Sequence, residues 1–217
     1  MSAMLTLDRL DVAIGGVPIL RGVSLAVPAG RMCGLIGRNG AGKTTLMRSV
    51  MGLLPARGGR IVAADTELEG APAHRRAALG IGYMPEDRRL IPDFTVEENL
   101  LLPVWAAKLE GTADRLAWVY RLMPEVEGFA QRRAAALSGG QQKLAALARA
   151  LMAGRRLLLL DEPFEGVAPV LARRLAEVLS ALKGEGLSVL LADSDERHAA
   201  DLLDSAFRIE RGAVAAY

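Results

Sequence analysis

The residues with the clearest chemistry are Gly37-Arg38-Asn39-Gly40-Ala41-Gly42-Lys43-Thr44, which satisfy the phosphate-loop pattern G-x-x-x-x-G-K-[ST] at every fixed position. Glycines at those spacings let successive backbone N–H groups curl around phosphate oxygens, and a helix starting there adds its positive dipole end. Lys43 has the length to reach β- and γ-phosphates. The Thr44 hydroxyl falls where a magnesium ion bridging those phosphates binds, and Thr45 completes the phosphate-binding set. A second group, Asp161-Glu162, ends the apolar run Leu157-Leu158-Leu159-Leu160. In a phosphate-loop NTPase site the aspartate holds magnesium opposite Thr44, and Glu162 is the candidate base for an attacking water. A third group, Ser138-Gly139-Gly140-Gln141, reads as another helix N-terminus with exposed amides and a serine hydroxyl, again suited to a phosphate.

These groups need strands that end, and helices that begin, at one edge of a sheet. Apolar residues at 32–36 suit a buried strand before the phosphate loop, and 46–54 suit a helix after it, stopped by Gly52 and Pro55. Upstream, loose alternation over 5–13 and 17–27 about Gly15-Gly16 predicts an antiparallel hairpin. Downstream come a short strand at 61–64, a helix at 73–79 and a strand at 82–84 cut by Pro85, where Glu86 opens a polar loop. Thr95-Val96-Glu97-Glu98 is a capping box that starts a helix, and Leu116, Val119, Tyr120 and Met123 repeat helical spacing. Ser138 caps a helix over 140–153 with an apolar stripe at Leu144, Leu147, Ala148 and Leu151. Buried strands at 157–160 and 187–192 flank a helix at 169–183. The expected fold is α/β: a mostly parallel core sheet, an antiparallel β portion near the N-terminus and an inserted helical subdomain. A single domain over 1–217 is expected, its core about 1–90 and 141–217 and its helical insert about 91–140.

With 217 residues, of which 51% are hydrophobic, the chain can bury a substantial core. No apolar run approaches the roughly 18 residues of a membrane span, and no export signal precedes residue 11. The single cysteine, Cys33, falls in an apolar strand and reads as a packed thiol. Net charge is +2, and the pairs Arg75-Arg76, Arg88-Arg89 and Arg132-Arg133 read as solvated faces rather than a nucleic-acid groove. His74 and His198 lack partners at metal-ligand spacing and read as surface or packed residues.

Leu137-Ser138-Gly139-Gly140-Gln141, about twenty residues before Asp161-Glu162, resembles the signature sequence of ATP-binding cassette (ABC) proteins. With the phosphate loop, the resemblance covers nearly the whole chain, from 5 to 212. It implies Mg-ATP as ligand and a second cassette, identical or not, packed head to tail so that each ATP lies between one phosphate loop and the partner's signature. Tyr83-Met84-Pro85-Glu86, Thr95-Val96-Glu97-Glu98-Asn99-Leu100 and Asp161-Glu162-Pro163 followed by Glu165-Gly166-Val167-Ala168-Pro169 resemble the ATPase subunits of branched-chain amino-acid and related small-solute importers. That likeness implies integral membrane permease subunits, an extracytoplasmic solute-binding protein, a peripheral location on the cytoplasmic side of the inner membrane, and permease contact over 87–94.

The sequence departs from the family pattern at four places. Ile14 stands where many cassettes place an aromatic residue on adenine, and Glu86 where most carry a glutamine that touches magnesium and the attacking water. Ser194 falls at the position of the histidine that contacts the γ-phosphate, and Ala168 at that of a cross-dimer aspartate. A serine is shorter than histidine and always neutral, so firm ATP binding with slow turnover at this chain's own phosphate loop is expected. Two other readings stand beside the transport ATPase: a soluble cassette ATPase, and a regulatory nucleotide-binding module paired with a more active cassette.

Overall fold

The computed structural model describes residues 2–195 and 199–216; His198 lies outside them, and His74 is exposed. Two strands, β1 (Ala3–Ile14) and β2 (Val17–Pro28), form the expected hairpin, turning through Gly15 and Gly16 at φ 57° and 87°. Both glycines are left-handed, as a two-residue turn that matches strand twist requires. Alternation puts Leu5, Leu7, Leu10 and Val12 of β1 on the buried face with Leu20, Val23, Leu25 and Val27 of β2. Two further strands, β4 (Gly58–Ala63) and β5 (Thr66–Glu67), complete an antiparallel sheet in the order β2-β1-β4-β5.

The second sheet contains β3 (Met32–Ile36), β6 (Ile81–Met84), β7 (Leu157–Asp161), β8 (Ser188–Asp193), β9 (Ser205–Glu210) and β10 (Ala213–Ala216). Its order is β10-β9-β3-β8-β7-β6, parallel throughout except where β10 returns against β9. Both faces are covered, which is why its central strands are unbroken apolar runs. Leu158 and Leu160 of β7 join one core with the helices; Leu157 and Leu159 join the other with the antiparallel sheet. The helices are α1 (Lys43–Val50), α2 (Ala73–Ala78), α3 (Val96–Ala107), α4 (Thr112–Leu122), α5 (Pro124–Glu127), α6 (Gly139–Ala153) and α7 (Pro169–Lys183). From the helical segment, Val96, Leu100, Val119, Met123 and Val126 all enter the first core.

Three expectations are corrected. Helix α1 begins at Lys43 rather than at 46 and ends at Val50, where Gly52 at φ 69° turns the chain. Strands β9 and β10 were not anticipated, because Ser205–Glu210 mixes polar and apolar residues and gains strand form by pairing with β3. Arg76 is not on a solvated face: it is 5% exposed and donates to Ser49 O (2.9 Å), Val50 O and Leu68 O (2.9 Å). Its guanidinium thereby satisfies the last carbonyls of α1, which lack partners within the helix.

Candidate functional site

The parallel strands deliver their C-terminal ends to one edge, where ligands of open α/β sheets bind. Strand β3 ends in the phosphate loop, whose Gly37 N–H donates to Asp193 O at 3.1 Å. A side chain at Gly37 would put its Cβ 2.3 Å from Ile209 O, so only glycine fits between the loop and β9. Gly42, at φ 113°, caps α1 without any side-chain hydrogen bond, and the first turn carries no acid. The N–H groups of that turn have no acceptor within the helix and face a positive dipole end, a combination that fits a bound anion.

Lys43 is buried, its ammonium donating to Gly37 O and Arg38 O and lying 2.9 Å from Glu162 Oε1. Thr44 Oγ1 donates to Asp161 Oδ1 at 3.2 Å, and the Tyr83 hydroxyl to Asp161 Oδ2 at 3.3 Å. Burial pushes the Asp161 carboxyl up to about 6 against those two hydrogen bonds, with the charges of Glu86 and Glu162 adding to the rise. Asp193 is likewise pushed to about 6, first by burial and then by the charge of Glu162. Acids outnumber cations here, and a cation would relieve that imbalance. Among the described residues no three His, Cys, Asp or Glu side chains could hold a metal unaided. The donor set, one hydroxyl and one carboxylate beside a phosphate cradle, is that of a magnesium ion sharing its shell with phosphate oxygens and water.

Glu162 is 3% exposed and sits at φ 50°. Its N–H donates to Ala192 O at 2.9 Å, Oε2 accepts the Ser194 N–H at 3.1 Å, and its carbonyl accepts the Lys143 ammonium at 2.8 Å. Ser194 therefore reaches Glu162 through its backbone; the residue itself is exposed.

Two cavities meet at the loop. One of about 390 Å³ is lined by Lys43, Thr44, Thr45, Glu86 and Glu162, together with Ile19 and Glu165. The other, about 590 Å³, is lined by Arg38, Ala41, Ser194 and Arg208; Gly40 and Asn39 line both. The predicted set 37–45, Glu86, Glu162 and Ser194 is thus brought together, with Asp161 joined through Thr44. Ile14 stays at the hairpin tip, 45% exposed, and lines neither cavity.

Ser138, Gly139, Gly140 and Gln141 also line neither cavity. They form a capping box at the start of α6: Gln141 N–H donates to Ser138 Oγ, and Ser138 N–H donates to Gln141 Oε1. Ser138 and Gly139 are exposed.

The loop after Glu86 is fastened to α6 by arginines, of which Arg88 was expected from the sequence on a solvated face. Arg88 donates to Gln142 Oε1 at 2.9 Å, and Arg149 donates to the carbonyls of Arg88 and Arg89, both left-handed at φ 62° and 49°. Sequence reasoning also missed Lys143, Glu165, Tyr83 and Asp193. For Lys143 a signal existed: it falls four residues before Leu147, on the apolar side of an otherwise well-patterned helix.

Residues 20–165 match the family described as ABC transporter. Over 211 residues the chain is 35% identical to the high-affinity branched-chain amino acid transport ATP-binding protein BraG of Pseudomonas aeruginosa, covering 97% of this chain and 91% of that protein. It is 33% identical over 217 residues to the lipopolysaccharide export system ATP-binding protein LptB of Escherichia coli, covering 99% and 90%. Among solved structures, the ADP conformation of the cassette MJ1267 superposes with TM-score 0.84 at 26% identity, covering 99% and 90%. The dimeric cassette MJ0796 shares the fold, with TM-score 0.85 at 24% identity and coverage of 97% and 96%.

Proposed function

The chain belongs to the ABC transporter family and is an ATPase of that family, and on that premise we propose that it binds Mg-ATP at Gly37–Thr45 and energises import of branched-chain amino acids or a related small solute. The observation that carries the site is the pairing of two neighbouring residues of the phosphate loop with two neighbouring acids, Lys43 with Glu162 at 2.9 Å and Thr44 with Asp161 at 3.2 Å. When bound, magnesium supplies neutralising charge between phosphate oxygens. Lys43 leaves its carbonyl partners to neutralise phosphate, the amides of the loop and of α1 orient it, and Thr44 and Asp161 hold the metal. Freed from Lys43, Glu162 Oε1 takes a proton from water while the Ser194 N–H keeps Oε2 in place.

The importer reading rests on the motifs at Tyr83–Glu86 and Glu165–Pro169 and on the likeness to BraG; the similar likeness to LptB, named for lipopolysaccharide export, makes direction and solute the first things to test. The chain acts in a head-to-tail dimer in which Ser138, Gly139, Gly140 and Gln141 face the partner's nucleotide. It sits on the cytoplasmic face of the membrane and meets a permease through residues 87–94, with a solute-binding protein serving the system from outside. Residues 1–90 and 141–217 form its core and 91–140 its helical insert. No described helix is long and apolar enough to span a membrane.

Steady-state ATPase activity of the purified chain, with Glu162→Gln as control, tests the site. Turnover should fall by about 10²–10³-fold in the variant while ATP affinity stays within about threefold; retained turnover would remove Glu162 from the role of base. The exposed Ile14 and Ser194 favour one second reading, a weakly hydrolysing subunit beside a stronger cassette. Vigorous turnover by the isolated chain would exclude it. Co-purification with the membrane partners, followed by a search for the solute that stimulates ATPase activity, tests the importer reading.

A further inference from the structure

Lys143 is 3% exposed and plays no part in the chemistry just described. Its ammonium donates to Glu162 O at 2.8 Å and to Glu165 O at 2.8 Å, and Glu165 N–H donates back to Glu162 O at 3.2 Å. These bonds close the turn that follows β7. A buried ammonium is costly unless its donors are filled, whereas an aliphatic side chain would satisfy the neighbouring core residues Leu144 and Leu147 at no such cost. What the charge achieves locally is to hold a non-glycine residue, Glu162, in a left-handed conformation that its own side chain disfavours. Fixing the carbonyl fixes the peptide plane and with it the direction of the Cα–Cβ bond. Lys143 also belongs to α6, four residues beyond Gly139, so it joins this turn to the helix end carrying the serine-glycine motif.

We propose that Lys143 is a positioning residue for Glu162: it holds the left-handed turn that aims the Glu162 carboxylate, and it ties that turn to the helix presenting Ser138, Gly139, Gly140 and Gln141. The inference rests on the reading of Glu162 as base. Its test compares the full-length chain with Lys143→Met, Lys143→Gln, Glu162→Gln and the double variant Lys143→Met/Glu162→Gln. The readouts are single-turnover ATP hydrolysis, affinity for a fluorescent ATP analogue, and amide hydrogen exchange at Glu162 and Glu165.

Lys143→Met should slow hydrolysis on the order of 10²-fold, the effect of a misplaced catalytic group, with nucleotide affinity unchanged within about threefold. Exchange at the two amides should quicken by about tenfold, as expected when a local opening becomes easier. Lys143→Gln keeps two N–H donors on one nitrogen and should recover most of the rate. In the Glu162→Gln background the Met substitution should cost nothing further, because its effect passes through the carboxylate. Hydrolysis within about threefold of the parent in Lys143→Met, a further loss in the double variant, or unchanged exchange would each overturn the proposal. If Glu162→Gln alone retains activity, the reading of Glu162 fails instead, and exchange still reports whether Lys143 holds the turn. Exchange also decides the matter for a chain with no measurable hydrolysis.

Discussion

Asp161 carries two conflicting demands at the scale of a single residue. It is fully buried, and burial pushes its carboxyl up to about 6. A carboxyl raised from 3.8 to about 6 makes the folded state bind more protons than the unfolded one between those values, so the ligand-free protein loses stability as pH rises through that window. Above it the cost is constant, on the order of 2–3 kcal/mol. Asp161→Asn abolishes that titration. Its oxygen still accepts from Thr44, and its amide can donate to the Tyr83 hydroxyl. The ligand-free variant should therefore melt several degrees higher than the parent at pH 8, with the difference vanishing near pH 4. The rise in melting point that the parent gains from Mg-ATP should be lost. A variant less stable than the parent at pH 8 would contradict this account of Asp161.

Among the elements, α6 bears the most connections to the site. Its capping box is closed by Ser138 and Gln141, and its body anchors the Glu86 loop through Gln142 and Arg149. Its packing face joins the core shared with α3 and β7. Ser138→Ala removes one capping acceptor and should destabilise the chain by about 1 kcal/mol in chemical denaturation, the usual cost of losing a serine cap. Because Ser138 lines neither cavity at the chain's own phosphate loop, nucleotide affinity of the isolated chain should stay within about twofold. Weakened binding to the isolated chain would mean that this helix end reaches its own site after all. The sequence patterns located α6 well, because Ser-x-x-Gln and a regular apolar stripe are both local. They missed the tie between the Glu86 loop and α6, since the carbonyls of the left-handed residues Arg88 and Arg89 accept from the Arg149 guanidinium, about sixty residues away in sequence.

Across the whole molecule, a polar clasp ties the start of β3 to the end of α7 and to the residue before β9. Asp204 Oδ2 accepts the Met32 N–H at 2.8 Å, Oδ1 lies 3.3 Å from Lys183 at the end of α7 and 3.7 Å from Arg31, and Asp204 N–H donates to Met32 O at 2.8 Å. Burial alone would raise this carboxyl, but the Met32 hydrogen bond and the two cations outweigh it and hold the group below its ordinary 3.8. Its stabilising effect is thus complete above that value and disappears as pH falls through the lower folded-state value. Asp204→Asn should lower the melting point at pH 7 and make less difference as the pH is brought toward 3. A gap between parent and variant that is equal at pH 7 and pH 3 would show that the charge is not what Asp204 contributes.

The local patterns of the chain were enough to identify the phosphate loop, both helix caps, the strand ending in Asp161-Glu162 and the α/β class, because each depends on residues within a few positions of one another. Tertiary structure decided the rest. Strand β9 exists because β3 offers an edge to pair with and β10 because β9 then offers the next, and Arg76 is buried because the carbonyls ending α1 need donors. The Glu162 carboxylate lies between Lys43 and the Ser194 N–H because β3, β7 and β8 run side by side and end together. A sequence displays side-chain spacing, but it does not display which distant backbone carbonyl an ammonium or guanidinium will find, and those bonds set the geometry of this site.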